Sequence, residues 1–63
     1  MNNIDRVSTV LYCGRVIYTV IYRSGNIRNY TSATIPDTII NFIKKSYVYT
    51  ALDGSKLYKL NHD

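Results

Sequence analysis

Apolar and polar residues alternate along the first third of the chain, with the period of two that is typical of β-strands. Residues 4–12 and 15–23 both show this pattern, and Cys13-Gly14 between them has the length of a two-residue hairpin loop. In that hairpin, one face carries Val7, Thr9, Leu11, Val16, Tyr18, Val20 and Tyr22. This is the predicted core face.

The opposite face of the hairpin is unusually apolar for a surface in contact with water. It carries Arg6, Ser8, Val10, Tyr12, Arg15, Ile17, Thr19, Ile21 and Arg23. Strands that are apolar on both sides are generally covered on both sides. The pattern therefore predicts that this second face is also buried, either by the C-terminal segment or by another molecule.

A turn signal at Ser24-Gly25-Asn26 predicts that the following residues, 27–32, return as a third strand. If Gly25-Asn26 forms the loop, Arg23 lies opposite Arg28, and repulsion between like charges disfavours that arrangement. The register with a Ser24-Gly25 loop is therefore preferred. It gives two pairs, Tyr22 with Ile27 and Ile21 with Arg28.

Residues 34–46 repeat apolar side chains at helical spacing and predict an amphipathic helix. Thr34 and Asp37 have the spacing of a capping box, and Pro36 falls in the first turn, where a missing N–H costs nothing. The apolar side chains that share one arc are Ile35, Ile39, Ile40, Phe42 and Ile43. This stripe is predicted to pack onto the sheet.

Residues 47–60 predict a second hairpin around Asp53-Gly54, a strong signal for a two-residue type I′ turn. That turn places Tyr49 across from Tyr58. The predicted order is βββαββ, an α+β fold in which one helix packs on one face of a small antiparallel sheet. Residues 1–63 are expected to form a single small domain, and the last three residues are expected to fray.

The short chain predicts a need for additional stabilisation. A domain of 63 residues buries only about 60% of the surface that its unfolded chain exposes. Small scaffolds usually add disulfides, a metal or a partner subunit. Cys13 is the single cysteine, and the histidine and carboxylates show no ligand spacing. Self-association is therefore expected, as a homodimer.

The sequence predicts no catalytic residues and no cofactor. A nucleophile needs a nearby base, and the single histidine, His62, lies in the predicted tail. Asp37 is interpreted as a helix cap and Asp53 as a turn residue. The three glycines stand alone at turns, so no phosphate-binding loop is present. We expect a protein that is not an enzyme.

The second face predicts a binding function instead. Its candidate interface residues are Arg6, Val10, Tyr12, Arg15, Ile17, Ile21, Arg23 and Arg28. An apolar centre with a rim of arginine and tyrosine matches the layout of a protein interface. With a net charge of +4, nucleic acid is the alternative partner, because arginines hold phosphates and aromatic rings stack on bases.

Compartment and origin are also suggested by composition. The first residues lack the pattern of a signal peptide, the longest apolar run is too short to span a bilayer, and one unpaired cysteine is typical of the cytoplasm. Ile, Tyr, Asn and Lys, whose codons are rich in A and T, make 25 of the 63 residues. A tiny basic chain of this kind is similar in character to phage proteins that bind and block host factors, including defence systems.

The middle of the chain resembles a known family. From Arg15 onward, a strand, a glycine turn, a strand with Tyr30, the dipeptide Ile35-Pro36 and an apolar helix follow one another. This order, over about residues 15–46, resembles the KTSC domain, a small α+β module. The resemblance implies a fold class and carries over no functional residue.

Overall fold

The computed structural model describes residues 3–60, so the predicted fraying tail, with His62, lies outside the described residues. Within them the chain forms five strands and one helix, in the predicted order βββαββ. The elements are β1 Ile4–Tyr12, β2 Arg15–Tyr22, β3 Ile27–Thr31, α1 Asp37–Lys45, β4 Tyr47–Thr50 and β5 Lys56–Lys59. They build one sheet with the order β3-β2-β1-β5-β4, in which every neighbouring pair is antiparallel. The α+β prediction is confirmed.

The first hairpin has the predicted register. Val7 lies opposite Val20, and Leu11 lies opposite Val16. Cys13 and Gly14 both have positive φ, 51° and 77°, as a two-residue type I′ loop requires.

The second turn is one residue longer than predicted. The Tyr22 N–H donates to the Asn26 carbonyl at 2.9 Å and encloses a three-residue loop that ends in Gly25, at φ 95°. A glycine in the left-handed region closes this common loop type. The predicted register is therefore wrong by one residue: Arg28 pairs with Val20 and lies on the helix side of the sheet, not on the second face.

The C-terminal hairpin repeats this loop geometry. The Ala51 N–H donates to the Ser55 carbonyl at 2.8 Å, and the enclosed loop ends in Gly54 at φ 89°. Tyr49 consequently pairs with Leu57, one residue away from its predicted partner. The predicted two-residue turn is wrong because Asp-Gly here occupies the last two positions of a longer loop.

The helix begins three residues later than predicted. Thr34 caps no helix, because its Oγ1 accepts the N–H of Thr31 at 3.0 Å and its own N–H donates to the Thr31 carbonyl at 3.1 Å. Pro36 is the N-cap residue and makes no side-chain cap. The predicted capping box is therefore wrong, and α1 starts at Asp37.

The hydrophobic core lies between α1 and one end of the sheet. Its buried side chains are Ile4, Val7, Val20, Ile39 and Phe42. The helical stripe therefore packs on the predicted face. Leu11 and Val16 were predicted to belong to the same core, but they stay 75% and 39% exposed. A nine-residue helix is only about 13 Å long, whereas the nine residues of β1 extend about 30 Å.

Candidate binding surface on the open sheet face

The face of the sheet opposite α1 has no cover within the described residues. It carries side chains from all five strands: Ile27, Asn29, Thr31, Arg15, Ile17, Thr19, Ile21, Arg6, Ser8, Val10, Tyr12, Leu57, Lys59, Tyr47 and Tyr49. We call this surface the open face. The C-terminal hairpin does not cover it, because β5 pairs with β1 and extends the sheet in its own plane. The interpretation that this segment buries the second face is therefore wrong.

The centre of the open face is aliphatic. Val10 lies directly opposite Ile17 on the neighbouring strand, and Leu57 lies beside Ser8 on the other side of β1. Val10 is 40% exposed, whereas Ile17 is half-buried by the strands around it. Facing cross-strand pairs of this kind stabilise the sheet and leave their outer surface to water.

A polar contact crosses the same face toward β3. The Thr19 hydroxyl donates to the Asn29 side-chain oxygen at 2.8 Å, and the two residues are a cross-strand pair. This bond links the two side chains across the neighbouring strands. The open face therefore has a polar pair beside its aliphatic centre.

The charges on the open face are basic. Arg6, Arg15 and Lys59 lie on it, and Arg6 pairs with the adjacent Asp5 at 3.0 Å. The other two side-chain carboxylates of residues 3–60 lie away from this face: Asp37 at the start of α1 and Asp53 in the loop of the C-terminal hairpin. The surface therefore presents a positive rim to whatever approaches it.

Six of the eight predicted interface residues meet on the open face. They are Arg6, Val10, Tyr12, Arg15, Ile17 and Ile21. Arg23 lies in the loop after β2, and Arg28 lies on the helix side of β3 because of the three-residue loop. Arg23 and Arg28 instead line a shallow groove of about 470 Å³ around Ser24.

Sequence reasoning missed part of this surface. Leu57, Lys59 and the tyrosines of β4 belong to the open face, although the C-terminal hairpin was expected to pack on the sheet or beside it. The turn residues gave no signal for this register, because Gly54 fits both a two-residue and a three-residue loop and only the bond from the Ala51 N–H to the Ser55 carbonyl distinguishes them.

The exposure of the tip of the first hairpin was also missed, although Tyr12 and Arg15 within it were predicted interface residues. The pairing of β2 with β3 ends at Ile17, and the pairing of β1 with β5 ends at Thr9. The residues beyond these points form a two-stranded projection, exposed on both sides. We call residues 11–16 the hairpin tip; it carries Leu11, Tyr12 and Val16 in contact with solvent. Tyr12 and Arg15 of the tip extend the open face, whereas Leu11 and Val16 lie on the helix side of the hairpin.

A groove of about 610 Å³ lies on the other side of the molecule, between α1 and the sheet. Its floor is formed by the core side chains Ile4, Ile39 and Phe42. It extends to Asn3 and Leu60, at both ends of the described range. Among residues 3–60, the titratable side chains that line it are Tyr22 and Lys45.

Among residues 3–60, two ionisable groups have shifted pKa values, and both lie away from the open face. Burial raises the pKa of Tyr22, and a side-chain hydrogen bond with Tyr30 raises it further. Hydrogen bonds from the Ser55 N–H at 2.9 Å and the Ser55 hydroxyl at 2.7 Å lower the pKa of Asp53. These shifts bear on stability and identify no acid–base pair on the open face.

Among residues 3–60, no three cysteine, histidine or acidic side chains lie close enough together to hold a metal ion. No helix in that part of the chain is long and apolar enough to cross a bilayer.

No family model, no curated protein and no solved structure matches this chain. The resemblance to the KTSC domain therefore stays a prediction.

Proposed function

We propose that this chain is a non-catalytic binding protein whose open face docks onto an acidic patch of another protein. The observation that carries the proposal is a five-stranded sheet face with an aliphatic centre, a basic rim and no cover within the described residues. An apolar centre surrounded by polar and charged side chains is the usual layout of a protein interface.

The apolar part of the surface supports a protein partner. Val10 and Ile17 continue along the open face to Tyr12, which is 68% exposed. Contiguous exposed apolar surface on a small protein usually marks an interaction site. Tyrosine and arginine at its border are the residue types that contribute most to binding energy in such interfaces.

The charges define which partner fits. A complementary surface carries carboxylates near the basic rim of Arg6, Arg15 and Lys59, because like charges that face each other across an interface cost affinity. The net charge of +4 adds long-range attraction to an acidic partner and speeds association at low salt. The chain is thereby suited to bind an acidic host protein.

The biological setting follows from size and composition. We place the chain among small inhibitors or modulators encoded by a phage or mobile element, which act in the host cytoplasm on a host protein such as a component of a defence system. A surface that occupies one whole side of a 63-residue chain suits a protein that blocks its target by covering it. In this proposal the active form is a homodimer.

Affinity capture from a lysate of a low-G+C bacterial host tests the proposal. The variant Ile17→Asp/Ile21→Asp puts two carboxylates into the centre of the open face, and we expect it to lose the captured protein. The control Thr38→Asp/Asn41→Asp adds the same charge to the exposed side of α1 and should keep it. Equal capture by both variants, with both folded by circular dichroism, contradicts the proposal.

Nucleic acid is the second candidate, and the basic rim with Tyr12 and Tyr47 on the same face favours it. Binding to phosphates weakens steeply as salt increases. A shift of short RNA or DNA that fades with salt and disappears in Arg15→Ala supports this candidate. The aliphatic centre favours protein, because Val10, Ile17 and Ile21 offer no rings on which bases can stack.

A further inference from the structure

We propose that two copies of the chain pair antiparallel through the exposed edges of β4, about a twofold axis that passes beside Tyr49. This inference rests on the homodimer in the proposed function and identifies the interface between its subunits, which we call the β4 seam. The two five-stranded sheets then form one continuous sheet of ten strands.

The hydrogen-bond pattern of the C-terminal hairpin shows which backbone groups of β4 face outward. The Ala51 N–H bonds to the Ser55 carbonyl, so Ala51 directs its backbone groups toward β5. Directions alternate along an antiparallel strand, so Tyr49, paired with Leu57, also directs its groups inward. Val48 and Thr50 therefore direct their N–H and C=O groups away from the sheet.

These two residues are complementary to their own copies. When Tyr49 lies opposite Tyr49 of a second copy, Val48 of each chain lies opposite Thr50 of the other. Two residues in a hydrogen-bonded antiparallel pair exchange both N–H···O bonds. All the outward groups of Val48 and Thr50 in both chains are then satisfied, which is the self-complementarity that a twofold interface requires.

The side chains of β4 leave this edge unprotected. Natural edge strands are usually protected by charged residues, proline or a bulge, because a bare edge pairs with other chains. β4 has the sequence Tyr-Val-Tyr-Thr, with no charge and no proline. Tyr47 and Val48 are 52% and 54% exposed, and Leu52 in the adjoining turn is fully exposed. Apolar contacts thus add to the backbone bonds at this seam.

The opposite edge of the sheet is less suited to a second copy. At the end of β3, the Thr31 N–H is bonded to the Thr34 hydroxyl oxygen, and the Thr31 carbonyl accepts the N–H groups of Thr34 and Ile35. A copy paired along β3 also brings two Arg28 side chains to one seam. Face-to-face stacking of two open faces is disfavoured as well, because both are basic.

Edge pairing leaves the open face available. The twofold axis of an antiparallel pair is perpendicular to the sheet, so both open faces lie on the same side of the dimer. The row that contains Ser8, Leu57 and Tyr49 continues directly into the same row of the second copy. The dimer therefore offers one doubled surface to a partner.

Sedimentation of purified protein tests the seam. We expect the wild type to have twice the 7.3 kDa chain mass at micromolar concentration. Val48→Pro removes one outward donor from each chain and no bond to β5, and it should raise the dissociation constant about 30-fold. Ile27→Pro, at the start of the β3 edge, is the matched control and should dimerise like the wild type. A monomeric wild type, or a Val48→Pro variant that dimerises normally, overturns the proposal.

A cysteine at the axis tests the register independently if Val48→Pro does not fold. Residues directly opposite in a non-hydrogen-bonded pair have Cα atoms about 4.5 Å apart, within the range that a disulfide spans. In a Cys13→Ser background, Tyr49→Cys should therefore oxidise to a covalent dimer on a non-reducing denaturing gel, which reduction converts to monomer, and Ile27→Cys should form no such cross-link. Absence of the Tyr49→Cys cross-link overturns the register.

The outcomes separate this inference from the proposed function. If the chain is a monomer that still captures its partner through the open face, only the β4 seam is wrong. If it is a β4 dimer in which Ile17→Asp/Ile21→Asp captures the same proteins as the control, only the open-face proposal is wrong.

Discussion

Cys13 is the one residue other than glycine with positive φ among the described residues, at 51° in the loop of the first hairpin. Asparagine followed by glycine is the preferred pair in such a loop, whereas a β-branched residue is strained there. We expect Cys13→Asn to raise the free energy of unfolding by about 0.5–1 kcal/mol, because the exposed side chain contributes little packing. Urea denaturation measures this change.

Cys13→Val is the matched control. It should lower the free energy of unfolding by about 1–2 kcal/mol relative to the wild type, because valine is strained at positive φ. Equal stability of the two variants contradicts the loop conformation.

Asp53, in the loop of the C-terminal hairpin, makes the stability of the fold depend on pH. Its pKa is held below the ordinary value by the Ser55 N–H and hydroxyl, so ionised Asp53 favours the folded chain. That contribution is fully present above the unfolded pKa of about 3.9 and is lost as pH falls through the lower folded pKa. D53N should therefore be less stable than the wild type at pH 7, and the difference should shrink toward pH 2. A gap that stays constant in thermal unfolding across this range contradicts the assignment.

At the scale of elements, α1 divides the helix-side face of β2 into a covered and an uncovered half. Val20 is fully buried, whereas Val16, four residues earlier on the same face, is 39% exposed. Val20→Ala should lower the free energy of unfolding by about 2 kcal/mol, because it removes buried methyl groups and leaves a cavity. Val16→Ala should cost less than about 1 kcal/mol. Similar costs in denaturant titrations would show that the core extends to the hairpin tip.

The periodicity of the sequence predicts the elements and their order, because apolar alternation and helical spacing survive in any register. The registers of β2 with β3 and of β4 with β5 are not predictable from turn residues alone. Gly25 and Gly54 fit both two-residue and three-residue loops, and only the closing bonds at Asn26 and Ser55 distinguish them. The start of α1 was missed because Thr34 bonds to the end of β3 instead of capping the helix.

The candidate binding residues were predictable only where the register of their strand was predictable. The residues of the first hairpin, such as Ile17 and Val10, were placed correctly because a two-residue loop fixes their register. Arg28 was misplaced because one extra loop residue moves every side chain of β3 to the other face. Leu57 was missed because the apolar pattern does not show that β5 pairs with β1.

At the scale of the whole molecule, a single helix of nine residues is too short to cover a sheet of five strands. It covers one end of one face, and the five buried apolar side chains form a small core. The remaining apolar surface is divided between the open face with the hairpin tip and the edge of β4. We assign the first to a protein partner and the second to a second copy of the chain.

A photo-crosslinking amino acid in place of Ile17, expressed in a low-G+C host, tests the central claim most directly. The same amino acid in place of Asn41, on the exposed side of α1, is the control. We predict a discrete cross-link from position 17 to a host protein, and none from position 41. A host cross-link that forms only at position 41, or a product at position 17 that contains only a second copy of this chain, contradicts the assignment of the open face.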